Sequence, residues 1–424
     1  MKMPSYKLQP LDSWMSGFLN EDNTAIFIFM RLAQMPDVDR LEAAITATAV
    51  IVPEILCCFN RKKNCFVYSG LSAGDVVTVA DSYFIKGVIP HINLTNGPML
   101  RISISPCAGG GCWFNMGMSH LLADGGGVKE YLKMLCHFYN HLEEADATKY
   151  NNLRNPEQLF RKFKPEKLNI PPEIKEVDKT FGRADIQMNS DGSIRFYQTN
   201  KVDLLPEELT GVKARAKKAN ATLNDVFLTL FHCALHQRLN KARVVLGCPI
   251  DLRAVFAQHI AADTFTVCNL TSYLHSPIEI SPVSTFNSVL HAVSSIIRKQ
   301  KETNASLVRL KGLYSLPARI RPWVMKTQRT PEPKVLYSNI GIIDETTVCF
   351  ADNEILDCFI GGPFKELPGI RVLISTFKGK CTISSNSYGS SDNHVLITQM
   401  LEDMKNRALA WSNAGSLVND IKIQ

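Results

Sequence analysis

Ser119-His120-Leu121-Leu122-Ala123-Asp124-Gly125-Gly126-Gly127 marks a change of rhythm in the chain. Before it, residues 113–118 form an apolar run of strand length. After it, Val128, Tyr131, Leu132, Leu135 and Tyr139 recur on one helical stripe. The stretch therefore predicts a strand, a tight glycine-rich turn and a helix, with His120 at the strand end. An imidazole has an ordinary pKa of about 6.5, so it can take and return a proton near neutrality. A turn floored by small residues can present such a ring to a cleft, and glycine lets backbones approach closely. Plainer readings stand beside this one. A His followed by an Asp four residues on is common by chance, and Asp124 is well placed simply to cap the helix that starts at Gly125. An i, i+4 His/Asp pair can also hold a metal, but no further ligand cluster accompanies it.

Working outward, Asn96-Gly97-Pro98 is a turn. Leu100, Ile102 and Ile104 then alternate with polar residues, as in a half-buried strand. Gly109-Gly110-Gly111 breaks it, and Trp113 and Phe114 are expected in the core. Upstream, residues 25–32 read as a buried strand. Pro36-Asp37 opens a helix with Leu41, Ala44, Ile45, Thr48 and Ile51 on one face. Asn60 to Asn64 reads as a hairpin turn.

Residues 143–192 are polar and rich in Lys, Asn, Glu and Pro, with Leu159-Phe160 and Phe163 able to dock. Beyond them, strand patterns recur at 194–202, 244–249, 336–341, 370–377 and 381–387. Helices open at Pro206, near Asn224-Asp225, and near Asp392. Asn224 and Asp225 are read as a helix start rather than a catalytic pair. The pattern predicts an α/β (α+β two-layer) protein, each layer a sheet packed against helices. The expected division is an N-terminal half at 1–165, a connector at 166–193 and a C-terminal half at 194–424.

His-Leu-Leu-Ala-Asp-Gly at 120–125 matches the His-x-x-x-Asp-Gly motif of the condensation-domain-like acyltransferase superfamily. That group includes peptide-synthetase condensation domains, plant BAHD acyltransferases, alcohol acetyltransferases, wax ester synthases and polyketide-associated (PapA-type) acyltransferases. Further segments resemble the family's in the expected order: Asn96 to Arg101, Leu223 to Val226, Pro249 to Arg253, Asn269-Leu270, and Ser338-Asn339-Ile340-Gly341. Together they span roughly residues 96–341. The chain also departs from the family. Ser119 stands where condensation domains carry a second His. The BAHD hallmark Asp-Phe-Gly-Trp-Gly is absent, and Cys268 replaces the usual Gly before Asn269. The chain most resembles the PapA-type and alcohol acetyltransferase members.

The resemblance implies two chloramphenicol-acetyltransferase-like halves, each a mixed sheet with helices, and a tunnel between them. It implies that His120 is the general base for transfer of an acyl group from an acyl-CoA or acyl-carrier-protein thioester to a hydroxyl acceptor, with no covalent acyl-enzyme. Asp124 is then expected to turn away from substrate and pair with Arg253, with Gly125 supporting the turn. Candidates for stabilising the oxyanion or lining the tunnel are the Gly125 and Gly126 amides, Ser338, Asn339 and Asn269. A structural role for the 338–341 segment, as a crossover strand, is the competing reading. An N-acyltransferase with an amine acceptor and a non-catalytic module that only binds a carrier protein are the alternatives, and a metal-dependent hydrolase is more distant.

Composition sets the frame. The chain has 424 residues, 45% of them hydrophobic and 21% charged, so two domains and a folded state are expected. Net charge is +7. Basic clusters at Arg61-Lys62-Lys63, at 213–218, and at Arg319, Arg321, Lys326 and Arg329 read either as solvated faces or as attraction for the anionic phosphopantetheine of CoA or of a carrier. No basic run is interleaved with aromatics, so nucleic acid is not an expected partner. The twelve cysteines lack zinc or disulfide-framework spacing and are expected to be reduced buried thiols. No cofactor and no metal are expected. Neither a secretory leader nor a membrane span is legible. A cytoplasmic monomer is the expectation.

Overall fold

In the computed structural model, Asp37 ends the loop after the Ala25–Leu32 strand and caps the Val38–Ile51 helix, its side chain accepting from the Arg40 amide at 3.0 Å. The structure describes residues 4–15, 24–82, 89–163, 169–170, 194–239, 243–317, 319–321, 323–324, 335–351, 353–366 and 369–413. Leu41, Ala44, Ile45, Thr48 and Ile51 are the buried stripe of this helix, as the spacing predicts. They pack beside the Gly125–Asn140 helix, where Val128, Tyr131, Leu132, Leu135 and Tyr139 are also buried. Thr48 and Tyr131 join the two stripes through a buried hydroxyl–hydroxyl bond of 3.0 Å. Each large aliphatic side chain so buried contributes roughly 1.5–3 kcal/mol.

These helices cover one face of a five-stranded sheet ordered Ile355–Gly361, Ala25–Leu32, Cys112–Ser119, Leu100–Pro106, Val77–Val79. Val77–Val79 runs parallel to its neighbour and the other pairs are antiparallel. Along Cys112–Ser119, Cys112, Phe114, Met116 and Met118 fill the helix-side core. Trp113 points the other way and is half-buried, so of the two aromatic residues expected in the core only Phe114 lies within it. Except at the exposed Arg31, the strand Ala25–Leu32 is buried on both faces, which explains its otherwise apolar sequence.

The second layer is another mixed sheet. Val335–Ile342 lies parallel to Ile370–Phe377, which pairs antiparallel with Lys380–Gly389, and that strand with Phe196–Leu204. The helices Pro206–Lys218, Leu223–Leu239, Phe286–Glu302 and Ser391–Asn413 bury their apolar sides in a second core with this sheet. The antiparallel pair Arg243–Asp251 and Thr271–Glu279 completes the layer. The strand expected from residue 194 begins at Phe196, with Ile194 87% exposed.

Two features join the layers. The strand Ile355–Gly361 follows the second layer's strands in sequence yet pairs with Ala25–Leu32 of the first sheet. It is therefore this strand, and not the 338–341 segment, that crosses over. Its other face carries Phe359 onto Phe29, ring centroids 4.9 Å apart. Asp357 reaches back to Lys201 at 3.0 Å and Lys380 at 2.5 Å. Second, Asn151–Asn152 pairs with Thr264–Phe265. The docking residues of the polar stretch behave as expected: Leu159 and Phe160 are buried in the Glu157–Lys162 helix. Apart from residues 169 and 170, the connector expected at 166–193 lies outside the described residues, as do Lys326 and Arg329. Among the described residues no helix is long and apolar enough to cross a membrane.

Candidate active site

The Cys112–Ser119 strand ends by turning on itself. The Leu122 and Ala123 amides both donate to the Ser119 carbonyl, at 2.8 and 3.3 Å, and the His120 amide donates to Thr24 at 3.1 Å. Helix begins at Gly125, with Asp124 as its N-cap in extended conformation. His120 thus stands at the strand end, as the sequence predicts.

Asp124 caps the motif helix and also meets Arg253. Its Oδ1 accepts from the Gly127 amide at 2.8 Å, which is the cap, and lies 2.9 Å from Arg253 Nη1. Its Oδ2 accepts from the Leu270 amide at 2.5 Å and the Thr271 hydroxyl at 2.6 Å. A carboxylate has about four lone-pair directions. The protein fills all four. Burial pushes this carboxyl up, but the Arg253 guanidinium and the three hydrogen bonds outweigh it and hold the group below the usual carboxylate range. Arg253 is fixed as firmly. It donates to the Thr266 hydroxyl and carbonyl at 2.8 and 2.7 Å, to the Cys268 carbonyl at 2.8 Å and to Asp251 at 3.0 Å.

The glycine run is a packing requirement. A side chain at Gly125 would meet Ile340 Cδ1 at 2.7 Å, one at Gly126 would meet Arg253 Nη1 at 2.5 Å, and one at Gly127 would meet the Cys268 carbonyl at 2.7 Å. The first turn of the helix is wedged between Ile340 and the Arg253–Cys268 loop. Ile340 reaches that position through a bulge, where the register steps from Asn339 to Gly341. Gly341 takes a φ of 75° and donates to Asn339 Oδ1 at 2.9 Å. Lys129 Nζ donates to the Ile340 carbonyl at 2.6 Å and fastens the bulge to the motif helix. The half-buried Ser338 and Asn339 are thus held beside the motif, and the Asn339 side chain is engaged in shaping the bulge.

His120 keeps partial exposure while the rest of its turn, residues 119 and 121–125, is buried. Its Nδ1 is enclosed and has no hydrogen-bond partner among the described residues. Burial lowers the imidazole pKa, and the Arg371 guanidinium lowers it further. Asp124, the ring's own carbonyl and the Asn269 amide oppose them without cancelling the effect. Burial and the nearby guanidinium thus favour the neutral ring, the form a proton acceptor needs.

Asn269 is buried beneath the motif turn. Its Nδ2 donates to the His120 carbonyl at 3.1 Å, the Leu121 carbonyl at 3.3 Å and Asp12 Oδ1 at 2.9 Å. Asp12, Glu54 and Arg154 form a buried charged group under the turn that sequence reasoning missed. Arg154 stands in the polar stretch and Asp12 near the start of the chain, with no spacing to relate them. Asn224 and Asp225 lie at the start of the Leu223–Leu239 helix, where Asp225 accepts from the Thr222 amide at 2.9 Å. Cys268 is buried, and its thiol is pushed up to about 12, chiefly by burial. Among the described residues, no group of three or more His, Cys, Asp or Glu is gathered as metal ligands would be.

No protein-family profile matches the chain, and no curated protein matches it in sequence. Solved structures do match. The polyketide synthase associated protein 5 of Mycobacterium tuberculosis superposes with a TM-score of 0.69 at 14% identity, over 97% of this chain and 100% of that one. A trichothecene 15-O-acetyltransferase of Fusarium sporotrichioides gives 0.66 at 11% identity, over 96% and 94%. The first condensation domain of the calcium-dependent antibiotic synthetase gives 0.62 at 12% identity, over 99% of each chain. The chain thus has the two-lobed fold of chloramphenicol-acetyltransferase-like acyltransferases and condensation domains. At these identities, the likeness is one of fold.

Proposed function

We propose that this chain is an acyltransferase that moves an acyl group from an acyl-CoA or acyl-carrier-protein thioester to a hydroxyl, with His120 as general base. The observation that carries the reading is the contrast between the two motif residues. Asp124 is saturated by protein partners, whereas His120 keeps partial exposure in surroundings that disfavour its protonated form. With Nδ1 enclosed, Nε2 takes the acceptor's O–H proton as that oxygen attacks the thioester carbonyl. The tetrahedral intermediate collapses, the C–S bond breaks, and the imidazolium returns its proton to the departing thiolate. General base catalysis of this kind contributes about 10²–10⁴-fold.

In this reading the halves are 1–165 and 194–424, joined by 166–193, and substrates meet in a tunnel between them. The developing oxyanion requires a fixed donor. The amides of Gly125 and Gly126, Ser338 and Asn339 are the candidates, and all belong to the wedge around Ile340. Asp124 and Arg253 hold the turn without touching substrate.

The test is release of free thiol from a panel of acyl-CoAs offered with simple alcohols and with amines, using wild type and a folded His120→Ala variant. Alcohol-dependent release that falls by roughly 10²-fold or more in the variant supports the reading. Amine-dependent release alone would make the enzyme an N-acyltransferase. A His120→Ala variant that retains the wild-type rate removes the general base.

A further inference from the structure

The chain reverses at His120, Leu121 and Leu122, and the carbonyls of all three residues are held by side chains. Asn269 Nδ2 donates to the first two at 3.1 and 3.3 Å, and Arg154 Nη1 donates to the third at 2.8 Å. Both donors are anchored on one carboxylate. Asp12 Oδ1 accepts from Asn269 Nδ2 at 2.9 Å, and Asp12 Oδ2 accepts from Arg154 Nη2 at 2.6 Å. Oδ2 also accepts from the Gln9 amide at 2.8 Å, which fixes the carboxylate to the entry of the Pro10–Met15 helix. Asp12 has no exposed surface.

We infer that Asp12 is a positioning residue, which sets the orientation of His120 by aligning the Asn269 amide and the Arg154 guanidinium against the three carbonyls of the turn. The catalytic consequence rests on the acyltransferase reading above; the geometric one does not. A neutral carbonyl binds a donor that is already oriented more firmly than a mobile one, because less freedom is lost on forming the bond. A buried ion pair with additional hydrogen bonds is the arrangement that fixes geometry. Arginine suits the task, since its planar fork serves the Asp12 carboxylate and the Leu122 carbonyl from adjacent nitrogens. Glu54 lies 3.4 Å from Arg154 Nε, on the guanidinium's other edge. Asp12, Glu54 and Arg154 come from three segments separated in sequence, and all converge beneath one turn. A stability role alone would not require their donors to end on consecutive carbonyls of the motif.

The experiment compares wild type with Asp12→Asn, which keeps the shape but removes the charge and one acceptor oxygen. Arg154→Lys is the second variant, keeping the charge and losing the fork. Two readouts are taken on folded protein. The first is kcat and KM for acyl transfer. The second, independent of any substrate, is the rate of diethyl pyrocarbonate modification at His120, followed by peptide mass spectrometry. The expected result for Asp12→Asn is a kcat lowered roughly 10–10²-fold with KM unchanged, because a displaced catalytic group loses rate steeply. An altered modification rate at His120 accompanies it, and Arg154→Lys moves both readouts in the same direction. A lowered Tm with neither readout changed would overturn the inference and leave Asp12 purely structural. If Asp12→Asn does not fold, Arg154→Lys decides by the same criteria. If wild type transfers no acyl group, the acyltransferase reading fails, and the modification rates still decide the positioning role.

Discussion

Arg253 Nη1 lies 2.9 Å from Asp124 Oδ1, and the same guanidinium donates to the carbonyls of Thr266 and Cys268. One residue thereby fastens the helix cap of the motif to the loop that carries Asn269. Both members of the pair are largely buried, so removing either leaves a desolvated charge behind. Such a loss costs roughly 3–5 kcal/mol. Asp124→Asn is therefore expected to lower the urea midpoint and Tm substantially. The pH dependence has a definite sign. The folded-state pKa of Asp124 is depressed, so its contribution is fully present above the unfolded value of about 3.8 and is lost as pH falls through the folded value. The stability difference between wild type and Asp124→Asn should be constant near neutrality and shrink below about pH 4. A difference that grows on acidification would contradict the pairing.

The three motif glycines differ in what confronts them, and their alanine variants should rank accordingly. At Gly127 the obstacle is backbone, the Cys268 carbonyl at 2.7 Å, which cannot move without disturbing the Arg253 loop. At Gly125 it is the methyl end of Ile340 at 2.7 Å. That end can rotate, so an added methyl is accommodated more cheaply there. Gly125→Ala is expected to be near neutral in chemical denaturation, while Gly127→Ala loses about 1–3 kcal/mol through overpacking. Equal stability of the two variants would argue against the wedge geometry.

The sequence carried the elements better than their partnerships. The Leu41 to Ile51 stripe and the strand–turn–helix at His120 were legible because periodicity is local. Arg253 as partner of Asp124 was legible only through the resemblance, since 129 residues separate them. The crossing strand Ile355–Gly361 was not legible. Its apolar pattern suits either sheet, and nothing in its spacing shows that Asp357 will meet two lysines of the other layer. Asp12 and Arg154 were invisible for a related reason. A buried charge looks like any surface charge until its counter-charge is placed, and Arg154 stood in a stretch whose polarity suggested a connector.

The Asp357 contacts make a separate prediction. Lys201 lies 2.8 Å from Asp203 and 3.0 Å from Asp357, and Lys380 bridges the same two carboxylates at 3.5 and 2.5 Å. The charges balance two against two. Asp357→Asn leaves two partly buried lysines sharing Asp203, at the point where the crossing strand meets the second sheet. The cluster is only partly desolvated, so the loss should be about 1–3 kcal/mol, less than at Asp124. It should also be larger in low salt than in high salt, because the remaining lysines repel. Urea unfolding at two ionic strengths tests this, and a variant as stable as wild type in both would show that the strand is held by its apolar face alone.

The pH–rate profile tests the proposed base itself. Burial and the Arg371 guanidinium hold the His120 pKa below 6.5. A general base works only when unprotonated, so kcat/KM should fall on acidification, with an acid limb whose midpoint lies below pH 6.5. Stability moves in the same direction. A histidine whose folded pKa is depressed resists protonation in the native state, so its contribution is lost as pH falls below the unfolded value of about 6.5. Arg371→Gln removes the neighbouring cation and should shift the acid limb upward, toward the unperturbed imidazole, while leaving the assignment of the base intact. Thermal melts across the same pH range separate the rate effect from unfolding. An acid limb above pH 6.5 in a folded protein would assign the titrating group to a residue other than His120.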